Sequence, residues 1–580
     1  MALALLLGAW AFAGLGAGSA CLERAHDIPE GWQRLSEAPD AHQRLRMSFA
    51  LRQPDTQTLY ASLNGNTRLC VNQIRALRTP AKDDVDSVLR WLASSGVSDA
   101  QSEKDWIHVR TTVAEAEKLL NMKMHRYSFE GKPPILRTTE YFIPDTLSGT
   151  IRFAHPIANF MTPTHDVAAS RELSADKSIQ QRALPACEDI ITPGCITKQY
   201  SLNYTAPKGK SPVRFAVAGF LDQFANYADT DDFLRRTNPE LAYKGYNFSV
   251  ELINGGQNPQ DRARAGSEAN LDIEYALAIG YPTEVTYYST GGRGVKLNES
   301  GQAIPVEFSD NEPYLEMVEY MLDMPDDELP HVLTMSYADD ELSVPRPYAE
   351  RVCALFGMLA ARGMSVIVAS GDGGARGGRN ASCRTNDGYN RETTVATFPG
   401  SCPWVTAVGA TTNSDNPPKG AYFSTGGFSQ WFKRESWQDE AVDGYIKALQ
   451  GRLEGFYNPK MRAIPDISAV GTQFLTVVNG KDVILDGTSA SAPVLAAMIA
   501  LANDARLRQG KPSLGWLNKR LYSAEVRRVL YDTQGGVSKP CPFSGGKSAG
   551  WPAAKGWDAI TGLGTPGKFD DFLRVLVEGY

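Results

Sequence analysis

Histidine is scarce in the larger, C-terminal part of the chain. The chain of 580 residues holds seven, and six of them (His26, His42, His108, His125, His155 and His165) precede residue 170. Only His331 follows, at the head of the apolar run "HVLTMSY", a strand-entry position that reads as structural. Basic excess is absent too: 59 Lys and Arg against 66 Asp and Glu leave a net charge of -7. That balance excludes the electrostatic footprint of a nucleic-acid binder. Beyond the first twenty residues no run reaches the roughly 18 apolar residues of a membrane span. The eight cysteines show no CxxC or other zinc-ligand spacing, and internal repeats and low-complexity tracts are lacking.

What is present is ordinary globular composition, 42% hydrophobic and 22% charged, enough to bury a sizeable core. Residues 1–20, "MALALLLGAWAFAGLGAGSA", are apolar and then small. Despite the missing basic n-region they read as a secretory signal cleaved near Ala20, so a secreted, extracellular product is expected. In that compartment the cysteines are expected to form disulfides. Cys187 and Cys195, flanking "EDIITPG", are the easiest pair to propose, and the other pairings are not readable. Sequons at Asn203, Asn247, Asn298 and Asn380 fit a glycoprotein.

Two regions differ in character. Residues 21 to about 165 carry short strands and helices without a nucleophile motif. The polar segment "ASRELSADKSIQQRALPACED" follows and reads as an exposed linker or processing region. Together residues 21–185 make an α+β prodomain with its linker, and residues 186–580 a second domain. There "VRFAVAGFL", "HVLTMSY" and "MSVIVAS" are continuous apolar strands of the kind buried on both faces. The helical stretches "EANLDIEYALAIG", "EPYLEMVEYML" and "YAERVCALFGMLAARG" separate them. This alternation predicts an α/β, doubly wound parallel sheet. "FLTVVNGKDVILD" predicts a hairpin turning at Asn479 and Gly480.

The hairpin delivers the chain to "GTSASAP", placing Ser489 at the start of an apolar helix. Free N–H groups and the positive end of the dipole would face a developing oxyanion there; a plain helix cap is the bland alternative. A serine nucleophile needs a base. Glu268 and Asp272, four apart in "EANLD", share one helix face. Two close carboxylates resist double ionisation and would serve as a base at acidic pH, where histidine is protonated. A solvated acidic face remains the alternative. "VIVASGDGG" puts Asp372 at the carboxyl end of a strand, where α/β sheets gather functional groups. It is either a turn former or a carboxyl that, when protonated, donates to an oxyanion. Asp532 and Asp558 offer oxygen ligands to a hard cation such as Ca2+, or form a pair of Asx-turns.

"EANLD", "SGDGG", "GTSAS" and "GWDAITGLGTP", in that order, resemble the sedolisin family of serine-carboxyl peptidases. So does "LRTTEYFIPDTLSGTIRFAHPIANF", similar to the family's propeptide. The resemblance spans nearly the whole chain. It implies a subtilisin-like fold, Ser489 as nucleophile, Glu268 as general base and acid, Asp272 orienting Glu268, and Asp372 stabilising the oxyanion. It also implies one Ca2+ held by Asp532 and Asp558 with the carbonyls of Thr533, Ala554 and Gly556. The prodomain would act as an intramolecular inhibitor released by acid, and the substrates would be peptides or proteins. Four residues depart from the pattern or extend it, and one of them, Ala554, stands where a glycine is common at the calcium loop, a harmless change because only its carbonyl is required. Gly373 replaces a common serine. Ala338, in "SYADDE", replaces a common glycine on a strand that resembles the one pairing with substrate. Asp222 lies where some relatives extend the carboxylate network. The expected activity is release of tripeptides by a monomeric zymogen-derived enzyme, with Asp339 or Asp340 as candidates to hold the substrate amine. Acid endopeptidase action, or an inactive secreted binding protein of the same fold, are the alternatives.

Overall fold

The computed structural model describes residues 18–578 except 26–27, 29–31, 54–55, 66, 130–133, 159, 161–163, 166–167, 173–185, 206, 292–312, 345, 379–382, 386, 388, 414–416 and 547. Seven strands form one sheet: β1 (Arg214–Gly219), β2 (Ser249–Ile253), β3 (Glu284–Thr290), β4 (Val332–Met335), β5 (Ser365–Ala369), β6 (Thr406–Thr411) and β7 (Ile467–Val470). Their order is β2-β3-β1-β4-β5-β6-β7, and every pair is parallel. Because side chains alternate across a strand, the sheet feeds two cores. Phe215, Val217, Val332 and Ile367 face one, where α1 (Ser267–Gly280) and α4 (Thr488–Arg508) pack. Ala216, Ala218, Leu333 and Val366 face the other, against α2 (Pro313–Asp323) and α3 (Arg346–Ala361). This is the doubly wound α/β arrangement.

Three of the seven strands stand out in the sequence as apolar runs. The other four, "SVELI", "EVTYYST", "TAVGAT" and "ISAV", are short or rich in Thr, Ser and Glu, so periodicity does not reveal them. Parallel neighbours and covering helices make them strands.

Residues 44–155 build a four-stranded antiparallel sheet, in the order Ala100–Glu103, Trp106–Thr112, Arg44–Leu51, Ile151–His155, around a core of their own. At the amino end, Ser19 and Ala20 pair with Pro144 and Ile143. The α+β unit docks on the α2/α3 face, where Leu59, Leu63, Ile74, Trp106 and Phe153 join the second core. A charged cluster is buried in that junction. Asp105 accepts from Arg78 at 3.0 Å and pairs with Arg351 of α3, while Arg78 also meets Glu319 of α2. Trp106 Nε1 donates to Glu319 at 3.1 Å. The guanidinium of Arg351 lies 5.3 Å from the Trp106 ring centre.

Cys187–Cys195, Cys353–Cys402 and Cys383–Cys541 are disulfides. Cys21 and Cys70 are exposed free thiols, so the expectation that all eight cysteines pair is corrected. Among the described residues no helix is long and apolar enough to cross a membrane. Asn203 and Asn247 are exposed, while Asn298, Asn380 and the apolar stretch 1–17 lie outside the described residues.

Candidate active site

Ser489 stands at the second position of α4 and is 1% exposed. The hairpin Phe474–Val478/Lys481–Asp486 leads to it, turning at Asn479 (φ 53°) and Gly480 (φ 69°). Positive φ at both central residues marks the type I′ turn that matches strand twist. α4 is buried over most of its length, with the apolar side chains of "VLAAMIALA" facing all round. The helix start is therefore fixed by the core rather than by a surface cap.

Glu268 and Asp272 are wholly buried in the first turns of α1, which excludes the solvated acidic face. α1 and α4 pack together through the first core, and Ser336, just after β4, links them. Its hydroxyl donates to Asp272 Oδ1 at 2.9 Å and has the Ser489 carbonyl oxygen as a second acceptor at 3.3 Å. Sequence reasoning missed Ser336; its place directly after an apolar strand, at the carboxyl edge, was the available signal. Burial pushes Asp272 well above the usual carboxylate range, and the Ser336 bond opposes that shift. Burial also raises the Tyr287 and Tyr337 hydroxyls, and the charges of Glu268 and Asp272 raise both further. The two buried phenols thus lie near enough to the two carboxyls to feel their charge. Glu268 N donates to Gln223 Oε1 at 3.1 Å. Asp222, expected near this network, is exposed, and its neighbour Gln223 makes the contact instead.

Asp372 sits in the turn after β5. Gly371 adopts φ 102°, and a Cβ there would come within 2.9 Å of Thr397 Cγ2. The turn brings Gly371 N to Thr488 Oγ1 at 3.0 Å, and the Thr488 N–H and hydroxyl both donate to Asp372 Oδ1 at 2.8 Å. Asp372 Oδ2 is inaccessible to solvent and has no hydrogen-bond partner among the described residues. Burial pushes this carboxyl up to about 7, against the pull of the two Thr488 bonds and with a small addition from Asp486. Gly373 N donates to Thr425 Oγ1 at 3.0 Å. Thr488, Ser489 and Asp372 are thus gathered where α4 begins.

Two strand ladders line this place. Thr164 and His165 pair antiparallel with Ala338 and Tyr337, and Ala168–Glu172 pair antiparallel with 483–486 of the hairpin. One ladder thus adds 164–165 to the strand that follows Ser336, and the other adds 168–172 to the strand that ends three residues before Ser489. The first residues of the expected linker are strand, and 173–185 lie outside the described residues. Ala338 opposes Thr164 in this ladder. Asp339 and Asp340 are buried, and Asp340 accepts from Gly378 N at 2.6 Å.

Asp532 and Asp558 both reach the C-terminal loop: Gly556 N donates to Asp532 Oδ2 at 3.0 Å and Ala554 N donates to Asp558 Oδ2 at 3.3 Å. Asp558 is wholly buried. Its Oδ1 accepts from Ile560 and Thr561 N at 2.9 Å, an Asx-turn. Burial nevertheless pushes it up to about 7, over the opposing pull of the Thr561, Ile560 and Ala554 bonds. Asp532 Oδ1 is inaccessible, with no hydrogen-bond partner among the described residues.

His331 lies at the other edge of the sheet. Its Nδ1 accepts from Arg214 N at 3.2 Å at the amino end of β1, and burial with the charges of Arg214 and Arg68 holds it down to about 4. A parallel sheet in the order 2-3-1-4-5-6-7, with a serine opening its buried helix and carboxyls beside it, defines a serine-type peptidase of the subtilisin class. The family model for the pro-kumamolisin activation domain matches residues 30–160, and that for the subtilase family matches residues 286–564. Tripeptidyl-peptidase SED2 of Arthroderma otae is 36% identical over 580 residues, 96% of each chain. Probable tripeptidyl-peptidase SED3 of Arthroderma benhamiae is 38% identical over 560 residues, 93% of this chain and 92% of that one. The solved structure of Pseudomonas sedolisin, a serine-carboxyl proteinase, is similar over 67% of this chain and 98% of its own, at 19% identity and a TM-score of 0.47. The chain belongs to the sedolisin family of serine-carboxyl peptidases, with an N-terminal activation domain.

Proposed function

We propose that the chain is a secreted acid peptidase, made as a zymogen, that releases tripeptides from free N-termini through an acyl-enzyme on Ser489. The observation that carries this is the buried Glu268–Asp272 pair, tied through Ser336 to the start of α4, with His331 at the opposite edge of the sheet. Ser489 Oγ attacks the peptide carbonyl carbon and its proton passes to Glu268. Asp372, neutral at acidic pH, donates from Oδ2 to the oxyanion. Glu268 returns the proton to the departing amine, and water then hydrolyses the ester with Glu268 again as base. Asp272 orients Glu268.

Residues 1–20 are the signal and 21–185 the prodomain with its processing segment, which inhibits by lying in the cleft. Asp532 and Asp558, with the carbonyls of Thr533, Ala554 and Gly556, would hold one Ca2+. The partnerless Asp532 Oδ1 and the wholly buried Asp558 fit a cation there. When bound, the ion supplies cross-linking of the C-terminal loop. The enzyme acts as a monomer.

One observation favours internal cleavage instead. Prosegment residues 164–165 and 168–172 pair with the strand after Ser336 and with the strand before Ser489, which suits a cleft that takes an internal stretch of polypeptide. Mass spectrometry of products from an N-acetylated peptide and its free-amine twin separates the two readings, because only an endopeptidase cuts both equally. For the chemistry itself, Ser489→Ala or Glu268→Gln protein of mature size should lose about 10⁴-fold or more of kcat at pH 4. Wild-type turnover in either variant, or activity that rises through neutral pH, overturns the proposal.

A further inference from the structure

α1 has two working faces. Glu268 and Asp272 occupy one; Asn270 and Glu274, each two positions on, occupy the other. All four side chains are buried. The second face grips the hairpin that delivers Ser489. Strand Phe474–Val478 is the edge of its small sheet, and an edge leaves backbone groups to be satisfied. Side chains satisfy them here. Val477 N donates to Glu274 Oε1 and Oε2 at 3.2 and 3.1 Å, and Asn270 Nδ2 donates to Val477 O at 2.8 Å. The next residue of α1, Tyr275, donates to Leu475 O at 3.0 Å.

The grip continues to the turn. Asp229, wholly buried on helix Tyr227–Thr237, accepts from Asn479 N at 2.8 Å and Gly480 N at 2.9 Å. Asn270 Nδ2 also donates to Asp229 Oδ2 at 3.0 Å. Arg236 and Asp482 close the far strand with an ion pair at 2.6 Å. Three residues after that strand comes Ser489.

We propose that Asn270, Glu274 and Asp229 are positioning residues for the peptidase reaction: they clamp the hairpin that leads into Ser489 onto the helix that carries Glu268 and Asp272. The same clamp holds strand 481–486, which pairs with the prosegment now and becomes an open edge for substrate beyond the scissile bond once the prosegment leaves. The inference rests on the functional reading above. An error of about 1 Å in a reacting group can cost on the order of 100-fold in rate, so slack in the hairpin should appear in kcat.

The test uses the full-length chain, acid-processed, with active sites counted by a fluorophosphonate probe. Glu274→Met removes the acceptor for Val477 N. It should lower kcat per titrated site by about 10- to 100-fold, with KM for a tripeptide arylamide changed less than about threefold. A peptide extended beyond the scissile bond should suffer more than the arylamide. Glu274→Gln keeps an acceptor oxygen and should stay within about threefold of wild type. Wild-type kcat per site in Glu274→Met, or equal damage in Glu274→Gln, overturns the clamp. If Glu274→Met does not accumulate, Asp229→Asn, which turns one acceptor of the turn into a donor, decides: a several-fold loss in kcat supports the clamp and none overturns it. A Ser489→Ala control that keeps turnover overturns the functional reading and the clamp with it. A dead control beside an unimpaired Glu274→Met overturns the clamp alone.

Discussion

Asp372 and Thr488 are joined twice, since both the backbone N–H and the hydroxyl of Thr488 donate to Asp372 Oδ1 at 2.8 Å. With Oδ1 engaged, the proton of the neutral acid belongs on Oδ2, the inaccessible oxygen with no other partner among the described residues. An acid raised to about 7 is protonated below that pH, so the donor is present in acid and is lost as pH rises through about 7. Asp372→Asn keeps an acceptor for Thr488 and a permanent donor at the other position. Its kcat/KM at pH 4 should fall no more than about tenfold, and the decline between pH 6 and 8 should move upward. Asp372→Ala should lose about 100- to 1,000-fold. An unchanged pH profile in Asp372→Asn removes Asp372 from the oxyanion site.

The same carboxyl bears on stability. Its folded pKa lies above the unfolded one, so its contribution is full below about 4 and is lost as pH rises through about 7. Thermal unfolding of the processed enzyme should therefore show a higher Tm at pH 4.5 than at pH 7.5, and Asp372→Asn should narrow the gap. Equal narrowing by a surface Asp→Asn control counts against the assignment.

Ser336 donates to the ionised form of Asp272 and so opposes the upward push of burial. Ser336→Ala should raise the pH at which the carboxylate pair ionises. The acid limb of kcat/KM should move to higher pH, and kcat should fall about tenfold through poorer alignment. Titrating kcat/KM from pH 2.5 to 6 checks the direction.

Asp105 fastens the prodomain to α3. Burial alone would raise its pKa, but Arg351 and Arg78 together hold it below the usual range. A depressed acid stabilises above its unfolded pKa and loses that contribution as pH falls through the folded value. The junction should therefore hold in mild acid. Removing the charge leaves two buried guanidiniums poorly paired, a cost of about 3–5 kcal/mol in buried networks. Asp105→Asn zymogen should process itself at higher pH than wild type, while the mature enzyme's kcat stays unchanged. Gel analysis of processing from pH 3 to 7 reads the shift, and identical midpoints would contradict it.

Calcium removal should act on stability more than on chemistry. If Asp532 and Asp558 hold the ion, a hundredfold excess of Ca2+ over Kd should add about 2.7 kcal/mol. That gain should vanish in Asp558→Asn. A Tm insensitive to both chelator and Ca2+ would leave the Asx-turn as the loop's whole purpose.

The candidate site residues were legible because their signals are local. "GTSASAP" follows its hairpin, the i,i+4 carboxylates share a helix face, and the lack of a usable histidine after residue 170 points to acid work. Apolar runs likewise betray β1, β4 and β5. The remaining strands were not legible, since "TAVGAT" and "ISAV" are strands only through their neighbours. Ser336 was missed because which of several adjacent polar residues reaches a carboxylate depends on elements far away in sequence, and the exposure of Asp222 was hidden for the same reason. Cys21 and Cys70 could not be told from the six that pair, because pairing depends on distances between distant segments.

The sequence by itself thus determined the kind of reaction, the nucleophile candidate and the acidic partners, all of which depend on residue type and short spacing. Only the tertiary structure decided that Glu268 and Asp272 are buried instead of solvated. It alone paired the prosegment with strands 337–340 and 481–486 and turned the far face of α1 into a grip on the hairpin. Burial and long-range hydrogen bonds set these features, and both arise only when segments some two hundred residues apart, such as Asn270 and Val477, come within bonding distance.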